Sequence, residues 1–196
     1  MQLIIGLGNP DEKHARTRHN VGFRVLDHLQ AEQGFSTFKM ETKFRAEVSV
    51  GTIGEEKVML VKPQTYMNLS GEAVRAIIDF YKLSSEQVLV IFDDKDLPFG
   101  QLRIRASGGH GGHNGMRSLI QYLGTEAFPR IKVGVANEFT ERTPTDQFVL
   151  SAFSSEEEVA LPDIIHRAVQ ATQKVVQGGV DEAGTQFNGV EKSLSE

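Results

Sequence analysis

Histidine, aspartate and asparagine side chains gather in a few short glycine-bearing stretches of this chain, and their chemistry sets the first question. His19 stands between Arg18 and Asn20 in a segment crowded with polar groups. A neutral imidazole near pH 7 can take a proton from water. A carboxylate on its other ring nitrogen then fixes the tautomer and stabilises the charged form. Asp93, the first residue of Asp93-Asp94-Lys95-Asp96, is a reasonable partner. A histidine at the start of a helix also serves as a cap, so residue types alone leave both roles open. Further polar, glycine-rich stretches are Gly6-Leu7-Gly8-Asn9-Pro10, Thr65-Tyr66-Met67-Asn68 and His110-Gly111-Gly112-His113-Asn114-Gly115.

Two other chemistries compete for these residues. Gly6-Leu7-Gly8 behind an apolar run suggests a dinucleotide fingerprint, but Asp11 occupies the third glycine position, where its charge would repel a pyrophosphate. The six histidines suggest a metal, with His110 and His113 three apart and Asp93 and Asp94 as further ligands. On a glycine-rich loop that spacing lacks the helical face that makes it diagnostic, and no HExxH occurs. No metal and no cofactor is therefore expected. His28 and His166 fall on predicted helices and read as surface or partly satisfied side chains.

Periodicity supplies the elements that must position these groups. Gln2 to Leu7 reads as a buried strand, and Val21 to Gln33 as a helix with Val21, Val25, Leu26 and Leu29 on one face and Gly34 as C-cap. Phe44–Ile53 and Lys57–Lys62 flank Gly54-Glu55-Glu56 as a hairpin. Ser70–Tyr81 is helical, and Val88–Phe92 is an apolar strand expected to stop at Asp93-Asp94. Leu102–Arg105 and Arg130–Ala136 read as strands and Met116–Leu123 as a helix ending at Gly124. Ser154 with Glu157, or Ser155 with Glu158, offers a capping box for a helix to about Gln177. The alternation predicts an α/β fold, a single domain with a twisted mixed β-sheet flanked by helices on both faces. In such sheets ligands bind outside the carboxyl ends of strands, which would bring Asn9 and Asp93 together.

Composition bounds the rest. The 196 residues suit one domain, and 39% hydrophobic with 24% charged residues is ordinary for a globular protein. Cysteine is absent, which removes disulfides, thiol nucleophiles and thiolate metal sites and suits the cytoplasm. The start lacks the basic and apolar regions of a signal peptide, and no apolar run is long enough to span a membrane. A net charge of −5 argues mildly against nucleic acid. The acidic residues nevertheless cluster late, in Glu156 to Glu158, Asp163, Asp181 and Glu182. Arg103, Arg105, Arg117, Arg130 and Lys132 lie in the middle, so a local basic face is compatible.

The ordered motifs GLGNP (6–10), TRHNVGF (17–23), KPQTYMNLSG (62–71), DDKDLPFG (93–100) and GGHGGHNGMRSL (108–119) closely resemble those of the bacterial-type peptidyl-tRNA hydrolase family. Weaker echoes at 130–135, 148–153 and in Gly179, Ala183, Phe187 and Asn188 extend the resemblance over nearly the whole chain. It implies a metal-independent ester hydrolase that acts on ribosome-free peptidyl-tRNA, recycles tRNA and works as a cytoplasmic monomer. His19 would be the general base, Asp93 the carboxylate that holds it, and Asn9 the residue distinguishing blocked from free aminoacyl ends. Asn68 and Asn114 would hold substrate near the ester, with Tyr66 and Met67 lining the cleft. Arg105 and Lys132 would meet the 5′-phosphate region of the tRNA. The catalytic domain is expected over residues 1–190, with 191–196 a short tail.

Two departures stand out. Where family members commonly carry glycine and a substrate-contacting tyrosine, this chain has Asp11 and His14; His14 can still stack or hydrogen-bond. Asn137-Glu138 replaces a basic-proline pair, weakening one edge of the expected phosphate surface. The competing readings are a non-enzymatic RNA-binding relative and an unrelated metal-dependent nucleotide or amide hydrolase.

Overall fold

A computed structural model describes residues 1–188; the expected tail at 191–196 and the 190 boundary lie outside them. Seven strands form one mixed sheet in the order β2-β3-β4-β1-β5-β7-β6. They are β1 (Gln2–Gly6), β2 (Lys39–Glu41), β3 (Ala46–Ile53), β4 (Glu56–Pro63), β5 (Val88–Pro98), β6 (Leu102–Arg105) and β7 (Arg130–Ala136). The central strands β4, β1, β5 and β7 run parallel, and β2, β3 and β6 add antiparallel pairs at the edges.

Alternation along β1 sends Leu3 and Ile5 to one face and Ile4 to the other, so the strand contributes to two cores. On the Ile4 side pack α1 (Val21–Gln33) and α5 (Ser155–Phe187), through Val25, Leu29, Ile165 and Val169. The Leu3 side holds α2 (Ser70–Tyr81) and α3 (Asn114–Leu123), through Val74, Ile77 and Leu119. A short α4 (Thr145–Val149) sits between β7 and α5. Helices thus cover both faces, as the strand–helix alternation requires.

Local signals set most boundaries. Gly34 ends α1 with φ 66° and Gly124 ends α3 with φ 71°, both left-handed caps that glycine adopts without a Cβ clash. Ser154 and Glu157 form the capping box of α5. That helix continues past Gln177 to Phe187, with one non-helical residue at Gly179. The largest difference from expectation is β5. It runs through Asp93 and Asp94 to Pro98, because β7 pairs alongside it and satisfies the backbone of a polar stretch that otherwise reads as a loop. A register shift between Asp94 and Pro98 interrupts that pairing. Asp93 is therefore a residue within a strand, not one just past its end.

Candidate active site

The turn that carries His19 is held against the carboxyl ends of β1 and β5 by a close backbone approach. A Cβ on Gly22, in the first turn of α1, would lie 2.5 Å from Ile91 O and from Leu7 N. Arg18–Asn20 form a 3₁₀ turn leading directly into α1, and all three side chains are buried. His19 Nδ1 lies 2.9 and 3.0 Å from the two oxygens of Asp93, although the residues are 74 apart in sequence. With the carboxylate accepting, the Nδ1 proton is fixed, and the lone pair sits on Nε2. Among the described residues Nε2 has no protein partner, and His19 lines a cavity of about 310 Å³ with Asp93, Asp94, His110, His113, Asn114 and Lys132.

A second imidazole, assigned no catalytic role by sequence reasoning, shares the same carboxylate. His113 Nε2 lies 3.0 Å from Asp93 Oδ1, and its Nδ1 accepts from Met116 N as the N-cap of α3. These contacts fix His113 in the opposite tautomer, protonated on Nε2 and donating to Asp93. The electrostatics separate the two rings. Burial works to lower the pKa of His19, but the charge and hydrogen bond of Asp93 outweigh it, and the net shift is upward. For His113 burial prevails over Asp93, and the shift is downward. Burial also opposes charge on Asp93, yet the two imidazoles hold its carboxyl far below the ordinary aspartate value. Protonation is therefore favoured at His19 over His113.

Asn9 is buried beside this group, just past β1. Its Oδ1 accepts from Met67 N at 2.9 Å, which turns its amide nitrogen the other way, a donor with no hydrogen-bond partner among the described residues. Asn20, next to His19, clamps the Asn9 backbone from both sides: Asn9 N donates to Asn20 Oδ1 and Asn20 Nδ2 donates to Asn9 O. Met67 is buried, and both it and His113 crowd the face of Gly115. Asn68 is exposed; Asn114 lines the cavity, with its Oδ1 accepting from Arg117. Asn9 and Asn20 open onto a second depression of about 190 Å³.

The two unusual residues found in the sequence turn out to be partners. His14 hydrogen-bonds to Asp11 on the rim of the second depression. Tyr66, 53% exposed and at φ 59°, faces the same carboxylate, whose hydrogen bond and charge raise its phenol above the ordinary tyrosine value.

Basic residues fall on one face at the far edge of the sheet. Arg103 lies opposite Lys132 and Arg105 opposite Arg130, and opposed residues of an antiparallel pair point the same way. Arg130 is fully buried, donating to the carbonyls of Gly108, Glu126 and Phe128, so it braces the glycine-rich loop. Lys132 is bound to Asp94 at 2.9 Å, and Arg105 is exposed.

One buried pair ties His19 to the cavity wall. Arg18 makes two hydrogen bonds to Glu157, at 3.0 and 2.7 Å, and lies between the rings of Phe148 and Phe153. Burial disfavours charge on Glu157, but Arg18, Ser154 and Asn137 hold its carboxyl below the ordinary value. Arg18 also meets Val135 O and Ser151, joining the His19 turn to β7, α4 and α5. Asn137, one of the pair that replaces the family's basic-proline residues, thus serves this network.

His19, Asp93 and His113 also present ligand atoms within 4.8 Å of one another, a spacing that suits a metal ion. His110, which the sequence offered as a ligand only in the metal reading set aside there, accepts from Gly112 N.

An α/β sheet that holds an oriented imidazole and neutral amides around a cavity is an arrangement suited to a hydrolase. The sequence matches the peptidyl-tRNA hydrolase family over residues 3–195, and the chain belongs to that family of ester hydrolases. A peptidyl-tRNA hydrolase of Chloroflexus aggregans is 46% identical, over 96% of this chain and 99% of its own. One of Parasynechococcus marenigrum is 42% identical over 96% and 95%. The crystal structure of peptidyl-tRNA hydrolase from Acinetobacter baumannii superposes with a TM-score of 0.89 at 35% identity, covering 97% of this chain and 96% of that one. No helix among the described residues is long and apolar enough to cross a membrane.

Proposed function

We propose that this chain hydrolyses the ester between a peptide, or an N-blocked amino acid, and the 3′ end of ribosome-free tRNA, with His19 as general base. The observation that carries the reading is the free Nε2 of His19, aimed into a cavity while Asp93 holds Nδ1. A water at Nε2 gives its proton to that nitrogen as its oxygen attacks the ester carbonyl. The intermediate then collapses, the bond to the ribose oxygen breaks, and the proton on His19 passes to that oxygen. An ester has a better leaving group than an amide, so an activated water suffices. Asn9, with its amide nitrogen turned outward, and Asn68 and Asn114 supply neutral donors to the developing oxyanion; one such donor contributes about 3 kcal/mol.

At the other end of the substrate, Arg105 and Lys132 position phosphates of the acceptor stem without reading bases. Met67 lines the cleft and Tyr66 and His14 form its rim, with Asn9 distinguishing an acylated from a free amine. The enzyme acts in the cytoplasm as a monomer, which light scattering of the active protein checks. The main test is release of deacylated tRNA from N-acetyl-aminoacyl-tRNA. His19→Ala lowers the rate by roughly 10²–10⁴-fold, the usual share of a general base. Equal cleavage by both proteins removes His19 from the mechanism, and binding of tRNA without cleavage favours an RNA-binding relative. A second reading, a metal held by His19, Asp93 and His113, is favoured by their spacing and predicts that a chelator abolishes turnover.

A further inference from the structure

We propose a second site on the opposite end of α1, a surface site for a zinc-class divalent ion built by His28, Glu32 and His166. His28 and Glu32 are four residues apart and share one face of α1. His166 reaches the same carboxylate from α5, across 134 residues of sequence. The Glu32 oxygen lies 3.5 Å from His28 Nε2 and 2.8 Å from His166 Nδ1, and all three ligand atoms fall within 4.8 Å of one another. Tetrahedral zinc with bonds of about 2.0–2.2 Å places its ligand atoms about 3.3–3.5 Å apart. The observed spacings bracket that value, and partly exposed side chains close the difference by small rotations.

Three further features suit a metal. The rings of His28 and His166 stand nearly perpendicular at 81°, so their nitrogens converge on one point without the rings clashing. His166 Nε2 lies 3.1 Å from the Gln170 amide nitrogen, and a half-turn of that amide sets its oxygen there to accept the Nε2 proton that remains when Nδ1 binds a metal. The backbone beneath is rigid: Leu29 and Ile165, next to the two histidines, are buried in the core where α1 packs on α5. Two imidazoles and one carboxylate match zinc, nickel or copper(II). Magnesium and calcium prefer larger sets of oxygen ligands. Three protein ligands leave a coordination position to water. Binding clasps α1 to α5 and stabilises the frame without touching the catalytic cavity.

The site is tested on the untagged full chain, freed of metal, by titrating zinc at pH 7.5 and following heat of binding and thermal unfolding. His19→Ala serves as the second background, because His19, Asp93 and His113 are the other group with ligand spacing. Free zinc at a hundred times the dissociation constant shifts the folded-to-unfolded ratio about 100-fold, a rise of roughly 5–10 °C in a domain of this size. We expect that rise in the wild type and in His19→Ala, its loss in His166→Ala and His28→Ala, and its weakening at pH 5.5, where protons compete for imidazole. Gln170→Ala lowers affinity while leaving stoichiometry unchanged. An equal rise in His166→Ala, a loss confined to His19→Ala, or an equal response to magnesium overturns the proposal.

Discussion

Replacing Asp93 by asparagine keeps the shape of the site and removes one charge, and the arrangement dictates which way the pH profile must move. Nδ1 of His19 is 2.9 Å from the nearer carboxylate oxygen. For charge centres about 4 Å apart, an effective dielectric near 20 gives about 4 kcal/mol of attraction, or about 3 pKa units at 1.36 kcal/mol each. Sharing the carboxylate with His113 and the persistence of a polar amide reduce this, so we expect a shift of about 1–3 units. The sign follows from the opposing influences. Asp93 raises the pKa of His19 against burial, and once the anion is gone burial acts alone. His19 in Asp93→Asn stays neutral to lower pH. The acid limb of kcat/KM therefore moves down, even though the plateau rate falls roughly a hundredfold or more because the tautomer is no longer enforced. The assay is hydrolysis of N-acetyl-aminoacyl-tRNA from pH 4.5 to 9. An acid limb that stays in place, or moves up, refutes the assignment of Asp93 as the group that tunes His19.

The neighbouring contacts carry their own tests. His113→Ala removes one donor from Asp93 and leaves the carboxylate more fully committed to His19, so the acid limb should move up, by about one unit or less. A downward move, read in the same profile, would mean that His113 feeds charge to the site. Breaking the buried Arg18–Glu157 pair on one side, as in Glu157→Gln or Arg18→Met, should cost about 3–5 kcal/mol in urea unfolding. The apolar pair Arg18→Met with Glu157→Leu should recover most of that stability while kcat stays low, because the His19 turn loses its ties to Ser151 and Val135. Full recovery of kcat would limit the pair to a structural role. Arg105→Ala should weaken tRNA binding and lower the salt slope by roughly one. Lys132→Ala should do so less, since Asp94 already neutralises it in place. By the same reasoning Asp94→Asn should tighten binding at low salt, and weaker binding would argue that Lys132 does not face phosphate.

Where a signal was local, the sequence carried it. The apolar stripe from Val21 and the glycine at 34 bound α1, and Ser154 with Glu157 opened α5, because caps and periodicity act within a turn or two. Pairing over longer range left less trace. The string Asp93-Asp94-Lys95-Asp96 has the composition of a loop, and only β7 beside it makes it a strand. The pairing of Arg18 with Glu157 spans 139 residues, and no spacing rule connects them. His19 and Asp93 were matched by chemistry and by resemblance. Their contact, and the insertion of His113 between them and α3, depends on how three elements meet at one end of the sheet.

That meeting also sets the two imidazoles of the proposed mechanism apart. His113 opens α3, where the first backbone N–H groups lack partners, and its Nδ1 lone pair is taken by Met116 N. A ring that caps a helix in this way cannot offer that nitrogen to water, and the positive end of the helix opposes its protonation. His19 sits in a turn whose neighbouring N–H groups are already satisfied, Arg18 N by Ser151 O and Asn20 N by Thr17 O. Among the described residues no backbone group competes for its Nε2. One carboxylate thus faces two histidines, and helix capping occupies the second ring nitrogen of only one of them. Moving the cap elsewhere is therefore the change that would let His113 compete. Freeing Met116 N from His113 should raise the His113 pKa in part, with burial still holding it down, a shift that NMR titration of the two imidazoles can follow directly.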